Sequence, residues 1–517
     1  MKNIRQMAVL LCIGLILFGS CRKNIPPHLK AVPDNAAFVI AFENKQLTGK
    51  SGFNNLNDCK LFQKMCDQMK IGDKGVQKMI DQFLENPKSS GLHLDQSYFF
   101  VVKRGEGVFG AMLFGMNHVA TFEASLKETM QATGNTEFHA EDKGAYKIAR
   151  ANGGVVAWNR ELLLVGGGKD CATVNYDEFF ARPQEKSIVS VTDFNDFNKR
   201  DYDIGFWASY DAVTDLASPA AYMQKRDIRE ELSGAYIHSY LSFENGEARL
   251  STLMTPPSKV KDFFAKYAAI KTDFDNSLLR TFPDKSYLTL KLSLNMTEYF
   301  QMLREISKLL DAGFPTDRMM LNNPDVNTMI SGLAGDLILS VYDFVQGPLP
   351  VPLLGVAFTV KSRDDFDKML ATIPQKIIRQ KEEYYVVSTG MMVSVYLAYR
   401  DNRVYITDDA DAIAAFTGKG FDRHMAASSL GKSMEKSLCL FYINLDADRY
   451  PERVRSLLQS ELGAKAGESL NFLKPYRDFS LSIDPDYELV FSLKLKDASQ
   501  NSLKQILKNF DEIAAEF

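Results

Sequence analysis

Only six cysteines and six histidines occur among 517 residues, and the two scarcities exclude several kinds of protein. A disulfide scaffold needs a dense cysteine framework, which is missing here. Cys59 and Cys66 sit seven apart in one predicted helix, about 10 Å along its axis, and cannot bridge. With Cys171 and Cys439 they are expected as buried thiols, a Cys171–Cys439 bridge being the one pairing left open. His28, His93, His118, His139, His238 and His424 are isolated, with no H-x-x-x-H spacing. No metal site and no cofactor are therefore predicted.

Positive charge is also short. Lysine and arginine number 61 against 65 acids, a formal charge of −4, and no basic cluster breaks the balance. Nucleic acid is a poor partner for such a chain, because phosphate binding needs concentrated Lys and Arg. No G-x-S-x-G elbow is present. Gly166-Gly167-Gly168-Lys169 lacks the P-loop spacing, and its counterpart Thr407-Asp408-Asp409 would repel phosphate. It reads as a strand-to-helix turn with Asp170 as N-cap. Gly431-Lys432-Ser433 has Ala426 where a P-loop requires its first glycine. Paired hydrolytic carboxylates have no fixed sequence spacing, so that chemistry stays open.

Long apolar runs are missing too. Met7–Phe18 is about a dozen residues, short of the ~20 that span a bilayer. Lys2 and Arg5 precede it, and Gly19-Ser20 leads into Cys21. Residues 1–20 thus read as a removable lipoprotein signal peptide, with Cys21 as the acylated, palmitate-bearing residue. Membrane association is expected through that lipid. Residues 21–31 form the tether, stiffened at Pro26-Pro27.

What the chain has in quantity is self-similarity. PDNAAFVIAF (33–42) corresponds to PDKSYLTLKL (283–292), and SGLHLDQSYFFVV (90–102) to SGLAGDLILSVY (331–342). Residues 110–130, 153–174, 203–213 and 235–254 match 355–373, 393–414, 437–447 and 478–497 in the same order. The expectation is two tandem related domains, 32–272 and 280–517. Each would be α+β, a mainly antiparallel sheet with meander hairpins and packed helices. Asn159-Arg160 and Asn245-Gly246 mark hairpin turns. Helices are predicted at 61–70, 75–85, 121–132, 259–270 and 502–513. Val39, Phe99, Val101, Leu113, Trp158, Leu163 and Phe206 are expected to face inward.

Two surfaces stand out as contact candidates. Tyr236, His238 and Tyr240 alternate onto one face of a strand and could stack on sugar rings, although packing under a loop explains them as well. Met319 and Met320 lie in the Met-rich segment 314–327, where adaptable side chains suit a partner.

The Cys21 signal, the opening VPDNAAFVIAFENKQLTGKSGF (32–53) and the repeated body resemble a family of large Bacteroidetes lipoproteins grouped as a domain of unknown function. The resemblance implies a cell-envelope location and carries no catalytic residues. Arg22-Lys23 after the cysteine departs from the acidic residues of surface-exported members and favours a periplasm-facing position, inner or outer membrane undecided. The expected function is a non-catalytic, lipid-anchored envelope protein binding a protein or glycan partner. The alternatives are a carrier of an apolar ligand and an envelope-polymer hydrolase with unrecognised carboxylates.

Overall fold

The computed structural model describes residues 26–53, 90–105, 107–132, 139–151, 154–167, 171, 174–216, 232–266, 270, 273–309, 324–345, 350–388, 394–418, 420–461 and 472–516. The predicted helices 61–70 and 75–85, and Asp170, lie outside them. The chain divides into two compact units, Met1–Lys45 with Gly72–Leu216, and Gln46–Ile71 with Ala217–Phe517. It is α+β, with twenty strands among the described residues, whose pairings are antiparallel.

Unit 1 contains β1 (Phe38–Phe42), β2 (Leu92–Arg104), β3 (Gly107–Met116), β4 (Glu141–Asp142), β5 (Lys147–Ala151), β6 (Gly154–Trp158), β7 (Leu162–Gly167) and β8 (Ile204–Ser209). They pair in the order β8-β1-β2-β3-β7-β6-β5-β4. The meander β5-β6-β7 turns at Asn159, whose side chain accepts hydrogen bonds from the amides of Glu161 (2.9 Å) and Leu162 (3.0 Å). Such local bonding is why Asn favours turns.

Unit 2 contains β9 (Tyr236–Glu244), β10 (Glu247–Thr255), β11 (Leu288–Ser293), β12 (Leu333–Val345), β13 (Val351–Val360), β14 (Ile378–Gln380), β15 (Tyr385–Ser388), β16 (Ser394–Arg400), β17 (Arg403–Thr407), β18 (Cys439–Asn444), β19 (Tyr476–Ile483) and β20 (Leu489–Leu495). Their order is β9-β10-β20-β19-β18-β11-β12-β13-β17-β16-β15-β14. Of the Asn245-Gly246 turn, only Gly246 takes a positive φ, 69°. The tight turn between β16 and β17 instead uses Asp401 and Asn402 at φ 51° and 61°, a left-handed pair of the kind two-residue hairpins prefer.

The two ladders follow one pairing scheme. β1 lies between β2 and β8, as β11 lies between β12 and β18. From there β2-β3-β7-β6-β5-β4 and β12-β13-β17-β16-β15-β14 run in the same sense. Isolated bridges recur as well, Pro33 to Ser187 and Pro283 to His424.

Registers correct part of the expected core. Val39, Val101, Leu113, Trp158 and Leu163 are buried, but Phe99 and Phe206 are only half-buried. Val39 stands opposite Phe100 and Trp207, whereas Phe99 and Phe206 both stand opposite Ile40. A period of two therefore places them on the other face from Val39. There Phe38 sits between them, with ring centroids 6.1 Å from Phe99 and 5.9 Å from Phe206. Trp158 and Leu163 are buried on that same face because helix Val119–Ala132 covers them with Phe122.

Candidate functional site

Strand β11 reads Leu-Thr-Leu-Lys-Leu-Ser, and its alternation would put the leucines in the core. The structure does the opposite: Thr289 and Lys291 are fully buried and Ser293 is 1% exposed, while the three leucines are half-buried. A core lysine needs partners to offset its desolvation. The Nζ of Lys291 donates to the Ser437 carbonyl and lies 4.4 Å from the centre of the Phe274 ring. Burial pushes its pKa down to about 8, with Asp336 and Cys439 pulling the other way.

Asp336 sits opposite Ser293 on β12. It accepts from the Ser293 hydroxyl and, at 2.9 Å, from the Asp275 amide. Burial raises its pKa against those bonds. Asp275 accepts from Arg403 Nε at 2.8 Å and from the Ser277 amide at 3.0 Å. Burial pushes that carboxyl up, but the bonds from Ser277 and Arg403 outweigh it and hold it below its ordinary value. The group is a closed polar network, with each charge tied to a partner inside the fold. Sequence reasoning missed all of it. The available signal was a lysine between leucines in a strand, which alternation assigns to solvent.

Unit 1 has a related pair at the same ladder position. Ser97 stands opposite Phe42 as Leu337 stands opposite Leu292, so Glu43 and Gln96 correspond to Ser293 and Asp336. Gln96 donates to both carboxylate oxygens of Glu43, at 3.0 and 2.9 Å.

The other face of each ladder is apolar. In unit 2 one cross-strand row runs Leu241, Leu250, Phe491, Leu481, Phe441, Leu290, Leu339, Val356, Ile406, Leu397 over ten strands. All but Leu397 are half-buried. In unit 1 the row Phe206, Ile40, Phe99, Met112, Val165, Val156 takes the same course, and Val165 is 39% exposed. Antiparallel sheets with one solvated face alternate apolar-in with polar-out, and these rows break that rule.

The contact candidates fare differently. His238 and Tyr240 are buried, with Nδ1 and Oη 3.3 Å apart and rings edge-on, so they form no open stacking stripe. Tyr236 is half-buried. Cys21, Met319 and Met320 lie outside the described residues. Cys171 is a buried thiol and Cys439 a half-buried one, so the open bridge is not formed. Gly166 lies inside β7, where a Cβ would stand 2.7 Å from the Phe109 ring, and a Cβ on Gly431 would run into the Met425 carbonyl. Both glycines are explained by close packing. Among the described residues no metal-ligating group of three gathers, and no helix is long and apolar enough to cross a membrane.

The fold and its two-faced ladders define an α+β protein built on antiparallel sheet. A family model described as a domain of unknown function, DUF4836, matches residues 29–503. The chain belongs to that family. No curated protein and no solved structure matches it.

Proposed function

We propose that the protein is a lipid-anchored cell-envelope protein that binds a partner through its apolar sheet faces and is not an enzyme. Residues 1–20 act as the signal peptide, Cys21 carries the lipid, and the body faces the periplasm. The reading rests first on the cross-strand row from Leu241 to Val356, apolar and half-buried at every position, beyond which Ile406 and Leu397 pack with Phe366 and Met369 of helix Arg363–Ala371. Apolar surface of that continuity marks a contact for something else. The inward turn of Lys291, Asp336 and Asp275 toward partners in the fold supports a structural role for those charges. We further infer that 32–272 and 280–517 descend from one duplicated α+β repeat. The shared pairings and the recurrent Pro33 and Pro283 bridges support this.

The test is a crosslinked pull-down of the lipidated, tagged protein from its native envelope, read by mass spectrometry. A dominant protein or glycan partner, reduced by Phe441→Glu, is the expected result. The same apolar row favours a second reading, a carrier of an apolar ligand. Its sign would be a co-purified lipid in denaturing mass spectrometry, with no partner crosslinked. Hydrolysis of an envelope polymer by the pure protein would overturn both.

A further inference from the structure

Unit 2 carries an open groove of about 430 Å³, a volume in the range of small-molecule sites. One wall is the short helix Asn276–Thr281, whose entry is fixed by Asp275 accepting from the Ser277 amide. Asn276, Ser277 and Arg280 project from it into the lining. The opposite wall is held to the first: His424 bridges to Pro283, and the Met425 amide donates to the Phe282 carbonyl at 3.0 Å. Helix Ser429–Glu435, capped by Ser428, then brings Glu435 to the rim.

Two features of the lining point to a ligand. Arg280 and Glu435 are exposed, and among the described residues neither enters an ion pair or side-chain hydrogen bond. They are opposite charges on one groove with no salt bridge between them. His424 joins the lining from the opposite wall. Ala426 and Ala427 add small apolar side chains to the lining.

We propose that this groove binds a small zwitterion of the α-amino-acid class. Its carboxylate meets the Arg280 guanidinium, whose fork matches two oxygens. Its ammonium meets Glu435, and a neutral side chain lies over Ala426 and Ala427. A ligand with one charge alone satisfies half of this lining.

Saturation-transfer NMR and calorimetry on the full mature chain test it, with glycine and the neutral L-amino acids as probes. Saturable binding in the roughly millimolar range is expected for at least one amino acid. Arg280→Gln and Glu435→Gln should each weaken it about tenfold or more, while Lys432→Gln, on the same helix as Glu435 but outside the lining, leaves it unchanged. Acetate and ethylammonium should bind far more weakly than the zwitterion. Unchanged melting temperatures confirm that the exposed substitutions leave the fold intact. Absence of saturable binding by every amino acid overturns the proposal. Equal binding by wild type and both charge variants overturns it as well.

Discussion

Asp336 accepts the hydroxyl proton of Ser293 directly across the β11–β12 ladder, and the same carboxylate holds the amide of Asp275 at 2.9 Å. One side chain therefore joins two strands to the segment that caps the helix at 276–281. Asp336→Ala leaves a buried hydroxyl, a half-buried amide and the Lys291 ammonium without their acceptor or counter-charge. The expected loss is about 2–4 kcal/mol in urea unfolding. Ser293→Ala removes a donor and leaves the carboxylate one remaining bond, so its cost should be about 1 kcal/mol. A larger loss for the serine variant would refute this ordering.

Lys291 gives a pH dependence with a defined sign. Burial lowers its folded pKa from 10.5 to about 8. Between those values the unfolded chain holds the proton more tightly than the fold does, so the Lys291 contribution to stability rises with pH across that window. Below about pH 8 the full penalty of the buried ammonium applies, on the order of 3 kcal/mol. Lys291→Met removes it. The stability of the variant relative to wild type should therefore fall as pH climbs from about 7 to about 10, since other titrating groups cancel in the difference. Parallel curves for the two proteins would remove the assignment.

These residues also mark where the sequence was readable and where it was not. The turn at Asn159 and the hairpin around Gly246 were legible, because their chemistry is local. The face of each strand was not. β1 carries Val39 and Ala41 on one side and Phe38, Ile40 and Phe42 on the other, so alternation cannot choose between two apolar sides. On β11 alternation chose wrongly, because the buried polar network outweighs the leucines. The pairing of β10 with β20 joins residues more than two hundred apart, and nothing local announces it. At the groove, Arg280 and His424 come together through pairings distant in sequence, the Pro283 bridge and the bond from the Met425 amide to the Phe282 carbonyl.

Two glycines should respond in opposite directions to alanine. Gly49 lies within helix Asn44–Ser51, and an added Cβ there meets nothing within 4 Å. Gly49→Ala should stabilise by about 0.5–1 kcal/mol through helix propensity. At Gly431 an added Cβ would overlap the Met425 carbonyl oxygen, a backbone atom that cannot rotate away. Gly431→Ala should cost at least ~2 kcal/mol, comparable with an overpacked core site. Thermal melts of the two variants decide it, and matching shifts would contradict the packing described.

The apolar rows predict a surface response separable from folding. Phe441 stands between Leu290 and Leu481, half-buried, with its neighbours on β11 and β19. If that face is open to a ligand or partner, an environment-sensitive dye such as anilinonaphthalene sulfonate should bind the native protein and fluoresce. Phe441→Glu places a carboxylate in the row and should cut dye binding severalfold, because an ionised group resists transfer into apolar contact. Since the ring is not fully buried, the stability cost should stay below the ~3–5 kcal/mol of a core phenylalanine truncation. The control is Lys291→Met, which changes the opposite face of the same ladder and should leave dye binding unchanged. Loss of binding in both variants would mean the dye reports loosened packing, and the row would then be an ordinary part of the core.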